Sequence, residues 1–283
     1  INGGLFKDLP VYKGGVTEIG TAEELKAFAS IVNSGMDFAG STVILSSSID
    51  ISGGEWTPIA AGTRGGNTYT AESKTFSGTF DGNNNTIKGL TITQMPEGAS
   101  ADYAFGLFGV VDGGTIKNLN LTDVNINLPS SECAGGVVGL LVNGGTGENV
   151  TVSGNVTAGR GNAGIVGRMT VSGTIKDCVN EATIVGMLSR GNTAGSGGAA
   201  YYTAQGKEMT IENCTNNGAV TGLYGVGGIV GLSAANVSEC KNYGEITGNG
   251  ASVGGIVGEQ QNYGSIKNST NYADIVNNTA NTG

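Results

Sequence analysis

The chain has 283 residues and not one histidine, which removes the usual general base of serine and cysteine hydrolases and the commonest zinc ligand. Proline and cysteine number 4 each, tryptophan 1, and aromatic residues make up 6%. Charged residues are also scarce at 13%, with 14 Lys and Arg against 23 Asp and Glu and a net charge of -9. An acidic chain without a Lys/Arg cluster argues against nucleic acid and against an anionic membrane surface. No hydrophobic run reaches transmembrane length, so this segment does not insert into a membrane as a helix. Walker, His-Glu-x-x-His and Gly-x-Ser-x-Gly patterns are missing too, as is any Cys-x-x-Cys.

What the chain has is glycine, 52 residues of it, and a repeat. No period of three runs through the glycines, so collagen is excluded. They gather instead in apolar knots: Gly106-Leu-Phe-Gly109, Gly135-Gly-Val-Val-Gly139, Gly164-Ile-Val-Gly167, Gly227-Gly-Ile-Val-Gly231 and Gly254-Gly-Ile-Val-Gly258. The final glycines lie about 27 to 32 residues apart once a degenerate copy, Gly197-Gly-Ala-Ala-Tyr201, is counted. About ten residues after each knot comes a second piece: Ile175-Lys-Asp-Cys178-Val-Asn180, Ile211-Glu-Asn-Cys214-Thr-Asn216, Val237-Ser-Glu-Cys240-Lys-Asn242 and Ile266-Lys-Asn-Ser269-Thr-Asn271. A branched apolar residue, Ile184, Val220, Ile246 or Ile275, follows as the third. Three β-prone pieces per unit, parted by Gly and Asn, predict a coil of three strands and three corners. The fold class expected is all-β: a parallel β-helix whose coils stack about 4.8 Å apart.

Within the second piece the cysteine and asparagine are two residues apart and share a side of the strand, while the residue between them, once a lysine, faces water. Stacking then predicts an internal ladder of Asn180, Asn216, Asn242 and Asn271, whose amides satisfy each other and the corner backbone. Cys178, Cys214 and Cys240 fill a phase held elsewhere by Leu119, Val150 and Ser269, and read as small buried apolar residues with free thiols. Cys133 lies at another phase.

Residues 1–100 are built differently. Thr21-Ala-Glu-Glu24 is a capping box, and Leu25, Phe28, Ala29 and Val32 fall on one helical face ended by Asn33-Ser-Gly35. A solenoid needs its first cross-section covered, so a helix over about 21–33 is expected as the N-terminal cap, followed by opening coils and a polar loop at about 61–74. Residues 101–283 are expected to be Gly-rich repeat coils of the same domain. The tail after Ile275 shows no capping pattern, so more chain is expected beyond Gly283, as are an export signal and anchor outside this segment. An uncapped end would also suit end-to-end contact with another solenoid.

Together Thr21-Ala-Glu-Glu-Leu25, Trp56-Thr-Pro-Ile59, Phe76-Ser-Gly-Thr-Phe-Asp-Gly82, Gly106-Leu-Phe-Gly109 and Thr115-Ile-Lys-Asn-Leu119, followed by the Gly-Gly-Ile-Val-Gly copies, resemble the GLUG-repeat proteins of bacterial surfaces. The likeness runs over roughly residues 17–276. It implies a right-handed parallel β-helix (solenoid) of secreted or surface-anchored proteins, also found as a non-catalytic region beside the peptidase domain of some immunoglobulin A peptidases. It therefore implies an extracellular adhesive or spacer module, and supplies no catalytic residue. The copies at 143–157 and 195–204 depart from the pattern.

Other motifs dissolve. Gly159-Arg-Gly-Asn-Ala-Gly164 matches a dinucleotide fingerprint, but the β-branched, glycine-broken stretch after it is no helix. Paired carboxylates of a polysaccharide hydrolase or lyase are the enzymatic alternative, with Asp81, Asp102, Asp112, Asp123, Glu72 and Glu259 as candidates, yet no shared phase places two on one face. Calcium on scattered Asp and Asn lacks an EF-hand or a nonapeptide repeat, and no cofactor is expected. The functional lead is aromatic. Tyr243 and Tyr272 each follow a ladder asparagine and should project outward at one corner, with Tyr263 between them; Tyr201 and Tyr202 follow an irregular Gly-rich loop. Exposed tyrosines suit a glycan or a surface protein of host or bacterium.

Overall fold

The computed structural model describes residues 11–13, 16–187, 196–197, 200–203, 209–261 and 264–278, the strands at 11–13, 196–197 and 200–203 as backbone only. The chain winds as a parallel β-helix of about eight turns. Apart from the strand Val11–Lys13, antiparallel to Val16–Ile19, and a small hairpin of Arg64–Gly65 with Thr68–Tyr69, the paired strands run parallel.

From Asn162 on, each coil carries five short strands rather than three, because two of the three pieces bend; in the two coils before it, Thr115–Leu128 and Gly145–Ala158 each run through the second and third pieces as one long strand. The second piece breaks between Gly173–Lys176 and Val179–Asn180, and the break is a left-handed residue: Asp177 has φ 55°, as do its equivalents Asn118, Asn149, Asn213, Glu239 and Asn268 within a few degrees. Asn and Asp tolerate that conformation through short side chains that bond locally. The knot splits likewise, into Ala134–Gly135 and Val138–Val142 in one coil and into Asn162–Ala163 and Val166–Thr170 in the next. Its glycines are needed for contact between main chains: a Cβ on Gly139 would lie 2.6 Å from the Phe105 nitrogen, and one on Gly167 2.6 Å from the Ala134 carbonyl carbon. The degenerate copy still fills its rung, with Ala163 opposite Gly197 and Val166 opposite Ala200.

Parallel pairing in register stacks like on like. Inside, Val43, Phe80, Ile116, Gly147, Ile175, Ile211 and Val237 form one column, continued by Ile266, which is exposed on the last described coil. The next interior column changes chemistry along the axis, from Ile49, Ile87, Leu121 and Val152 to the asparagines. Asn180, Asn216 and Asn242 each donate one amide hydrogen within their own corner and the other to the next coil, and Asn271 donates to the Ala273 oxygen of its corner. Asn180 Nδ2 reaches the Ala182 oxygen at 2.9 Å and Asn216 Oδ1 at 2.7 Å. Asn216 reaches the Gly218 oxygen at 2.8 Å and Asn242 at 2.7 Å, and Asn242 reaches Gly244 at 2.9 Å and Asn271 at 2.6 Å. Successive ladder members are 36, 26 and 29 residues apart, so coil length varies while the rung is held.

The helix Ala22–Asn33 closes the first coil. Thr21 Oγ1 accepts from the Glu24 N–H at 3.2 Å, and the Glu24 carboxylate accepts from the N–H groups of Thr21 and Gly20 at 3.1 and 2.7 Å. Leu25, Phe28, Ala29 and Val32 are buried, and Phe28 lies 5.1 Å from Phe38, 5.9 Å from Phe76 and 6.1 Å from Phe80, ring centre to ring centre.

A second, smaller apolar cluster lies on the outer side of the knot strands: Ala104, Val110, Cys133, Leu140 and Val142, with Tyr69 packed against them. The 61–74 segment straps over it. Arg64 Nε donates to Asp102 Oδ1 at 2.9 Å, Tyr69 Oη to Asp112 Oδ2 at 2.6 Å, and Thr170 Oγ1 to the Asn67 oxygen at 2.6 Å.

All four cysteines are buried free thiols. Sγ of Cys178, Cys214 and Cys240 each lies 3.2 or 3.3 Å from the carbonyl oxygen two residues before it. Burial pushes Cys133 up to about 12; contact with Cys178 and then burial raise Cys214, and contact with Cys214 and then burial raise Cys240. A thiol reagent at pH 8 should therefore modify the native chain negligibly and all four cysteines once denaturant is added. Replacing Asn216 by Ala strands an Asn180 N–H, an Asn242 oxygen and the Gly218 carbonyl, and should cost about 3 kcal/mol in denaturant unfolding. Asn149→Ala, at an exposed corner but with a left-handed φ of 51° that alanine disfavours, should cost about 1–2 kcal/mol, less than Asn216→Ala.

Candidate functional site

Tyr243 and Tyr272 stand on adjacent coils because their ladder asparagines do. Their backbone N–H groups bond the oxygens of Asn216 and Asn242, which turns both side chains outward. They are 50% and 59% exposed, and their rings stack with centres 4.8 Å apart and planes 6° from parallel. That spacing is the rung spacing, so the rings face along the solenoid axis and onto each other. One flat face of each ring is thus spent within the pair, and the corner presents the remaining ring surface and two hydroxyls to solvent. Tyr263 falls outside the described residues. Tyr201 and Tyr202 belong to the strand Ala200–Thr203, where backbone register sets Tyr202 between Arg168 and Leu232, away from the tyrosine corner; their side chains lie outside the description.

The candidate carboxylates are dispersed and mostly engaged. Asp81 accepts from Asn118 Nδ2 at 3.0 Å and the Asn83 N–H at 2.8 Å, and lies 3.4 Å from Lys117. Burial would raise its pKa, but these partners outweigh it and hold the carboxyl below its usual range. Asp102 and Asp112 anchor the strap, and Asp112 also accepts from Asn143 at 2.7 Å. Asp123 lies 3.6 Å from Lys88, and Glu259 accepts from Tyr224 Oη and, at 3.2 Å, from Ser252. Glu72 is exposed on the strap. Among the described residues no group of three or more Asp, Glu, Cys or His could hold a metal ion.

Two open grooves flank Trp56. One, about 530 Å³, runs along Lys26, Ser30 and Asn33 of the cap helix; the other, about 340 Å³, along Met95, Pro96 and Glu97. Trp56 itself is buried, with Nε1 donating to the Leu107 oxygen at 3.1 Å, and Glu55 in the shared wall accepts from the Thr93 N–H and hydroxyl. Neither groove offers an exposed ring face or an unengaged acid pair.

The wider surface is sorted by column. One outer column is threonine on six coils, Thr42, Thr79, Thr115, Thr146, Thr174 and Thr210. Two residues on, charge alternates: Asp81, Lys117, Glu148, Lys176, Glu212. Lys176 lies 2.8 Å from Glu148, whose hydrogen bond and charge raise the lysine's pKa. Outside the left-handed bends, amides bond coil to coil, Asn149 to Asn118 at 2.9 Å and Asn213 to Asp177 at 2.7 Å. This outer ladder was visible in the sequence as the Asn, Asp or Glu before each cysteine position.

Residues 249–276 match the Glug motif family. The chain is 33% identical over 121 residues to halomucin of Haloquadratum walsbyi, a stretch that is 43% of this chain and 1% of halomucin. A crystal structure from Bacteroides ovatus, provisionally named an immunoglobulin A1 protease, superimposes with a TM-score of 0.69 at 23% identity, covering 98% of this chain and 81% of that one. At that identity the likeness is one of fold.

The Asp112 carboxylate beside Tyr69 raises that phenol to about 12. A tyrosine pKa raised on folding adds stability that is complete below the ordinary value near 10 and is lost as pH climbs toward 12. Phenolate absorbance should show a late-titrating tyrosine in the folded chain, and Asp112→Asn should move it back toward 10.

Proposed function

Because the chain is a parallel β-helix built on GLUG repeats, we propose that it is a non-enzymatic surface module, adhesive or spacing, that binds a glycan or a surface protein through its side wall. The observation that carries this reading is the condition of the acids. Five of the six candidates serve hydrogen bonds or ion pairs that hold the coil or its strap, and the sixth, Glu72, has no acid partner among them. A glycosidase needs two carboxyls in differing environments roughly 5 to 10 Å apart across a groove. The Glug match and the similarity to halomucin support a surface setting.

A rigid wall of this kind displays side chains at fixed intervals and loses little conformational entropy on binding, which favours recognition of extended partners. The exposed Tyr243 and Tyr272 edges and hydroxyls are one contact point; Tyr201, Tyr202 and Tyr263 are further candidates.

Glycan and surface-protein arrays probed with the wild-type chain and with a Tyr243→Ala/Tyr272→Ala variant should give binding without turnover. Glycans recovered cleaved would establish the polysaccharide enzyme instead, and silence on both arrays would leave a spacer without adhesive function.

A further inference from the structure

We infer that the adhesive wall is the third face of the coil, the one carried by Thr91–Ile92, by the C-terminal ends of the strands Thr115–Leu128 and Gly145–Ala158, and by Thr183–Gly186 and Val220–Gly222, and that it takes a neutral, extended polysaccharide lying along the solenoid axis. This inference rests on the surface-binding reading given above and assigns it a site and a ligand class.

Two outward columns make up the face. Thr91, Asn125, Asn155 and Thr183 stack in register, and two residues further along the strand so do Asn127, Thr157, Val185 and Thr221. The interior residues between them, Ile92, Ile126, Val156, Ile184 and Val220, are buried and hold the strands flat against the core. Adjacent rungs are about 4.8 Å apart and the two columns roughly 6.6 Å apart, so the face is a strip roughly 20 Å long and two side chains wide. A chain of linked sugar rings advances by a similar interval and presents hydroxyls on both edges.

The face differs from the others in two independent respects. It carries no charge over these coils, whereas the column Asp81, Lys117, Glu148, Lys176, Glu212 on the first face is charged at each rung. Its polar groups are also unspent. Asn125, Asn127 and Asn155 are exposed, and their amides bond no other group of the described chain, although Asn125 and Asn155 are stacked neighbours. Elsewhere stacked asparagines are consumed by their own ladders, as at Asn118 and Asn149 outside and at Asn180 and Asn216 inside. Amides and hydroxyls that donate and accept, on a surface without charge, match the hydroxyls of a neutral sugar. Anionic polymers are disfavoured by the net charge of -9 and by Glu245 and Asp274, which lie at the end of the strip on the last coils.

Calorimetric titration of the wild-type chain with neutral linear glucans, mannans and xylans of increasing length, and with polygalacturonate, tests this. Affinity for one neutral series should rise with length up to about five sugars, the span of the strip, and polygalacturonate should not bind. Asn125→Ala/Asn155→Ala should weaken binding about tenfold, the effect of two neutral hydrogen bonds lost. Thr146→Ala/Thr174→Ala on the first face should leave it unchanged, and Tyr243→Ala/Tyr272→Ala should weaken it less than the asparagine pair. Loss in the tyrosine variant with retention in the asparagine variant would move the site to the corner, overturning this inference while the surface-binding reading stands. Binding of polygalacturonate alone would do the same. Failure to bind any glycan would overturn it outright, and the protein array would then decide the broader reading.

Discussion

Everything in this molecule depends on one constraint: a parallel coil satisfies its backbone only through the coil above and the coil below, in register. Every position is therefore placed about 4.8 Å from its own equivalent, and each column must tolerate contact with itself. Branched apolar residues do so inside by dispersion and burial. Charges do so by alternating sign, as from Asp81 to Glu212. Amides do so by donating along the axis, and the interior ladder from Asn180 to Asn271 gives a buried polar column the same continuity that the backbone has. The tyrosines obey the same rule, and that is why one face of each ring is covered by the other.

The constraint explains which parts of the structure could be read from the amino-acid order. Columns are periodic, so the knot, the cysteine and asparagine phases and the branched third piece stand out in the sequence. The cap helix was legible for a different reason, since its capping box and one apolar face are local signals. Legibility fails where a coil departs from the period. The strap over 61–74 is a single insertion, and nothing in its polar residues announces that Tyr69 and Arg64 close a second apolar cluster on coils more than thirty residues away. The count of strands per coil was also hidden, because a left-handed Asn or Asp inside a β-prone piece looks like any other polar residue until its φ is known.

For the functional surface, the sequence indicated which residues point outward but not what each side chain would have left to offer. Tyr243 and Tyr272 are exposed yet mutually engaged; Asp81, Asp102 and Asp112 are acids by type and structural ties by use. Conversely the amides of Asn125 and Asn155 look like loop residues in the sequence and emerge as free only when every neighbouring bond is accounted for. Side-chain availability is a property of packing, and packing here is decided by the neighbouring coil, 26 to 37 residues away.

The ladder from Asn180 to Asn271 has one more implication, for how such chains change over generations. Its members are 36, 26 and 29 residues apart, so loop length between rungs is free while the rung itself is invariant. Any segment running from one ladder asparagine to the next begins and ends at chemically identical junctions. Duplicating or deleting that segment leaves both new junctions with the amide and backbone partners they had before. The reach of the protein is in this sense a quantity that a single recombination event can lengthen or shorten by one coil, without inventing a new interface.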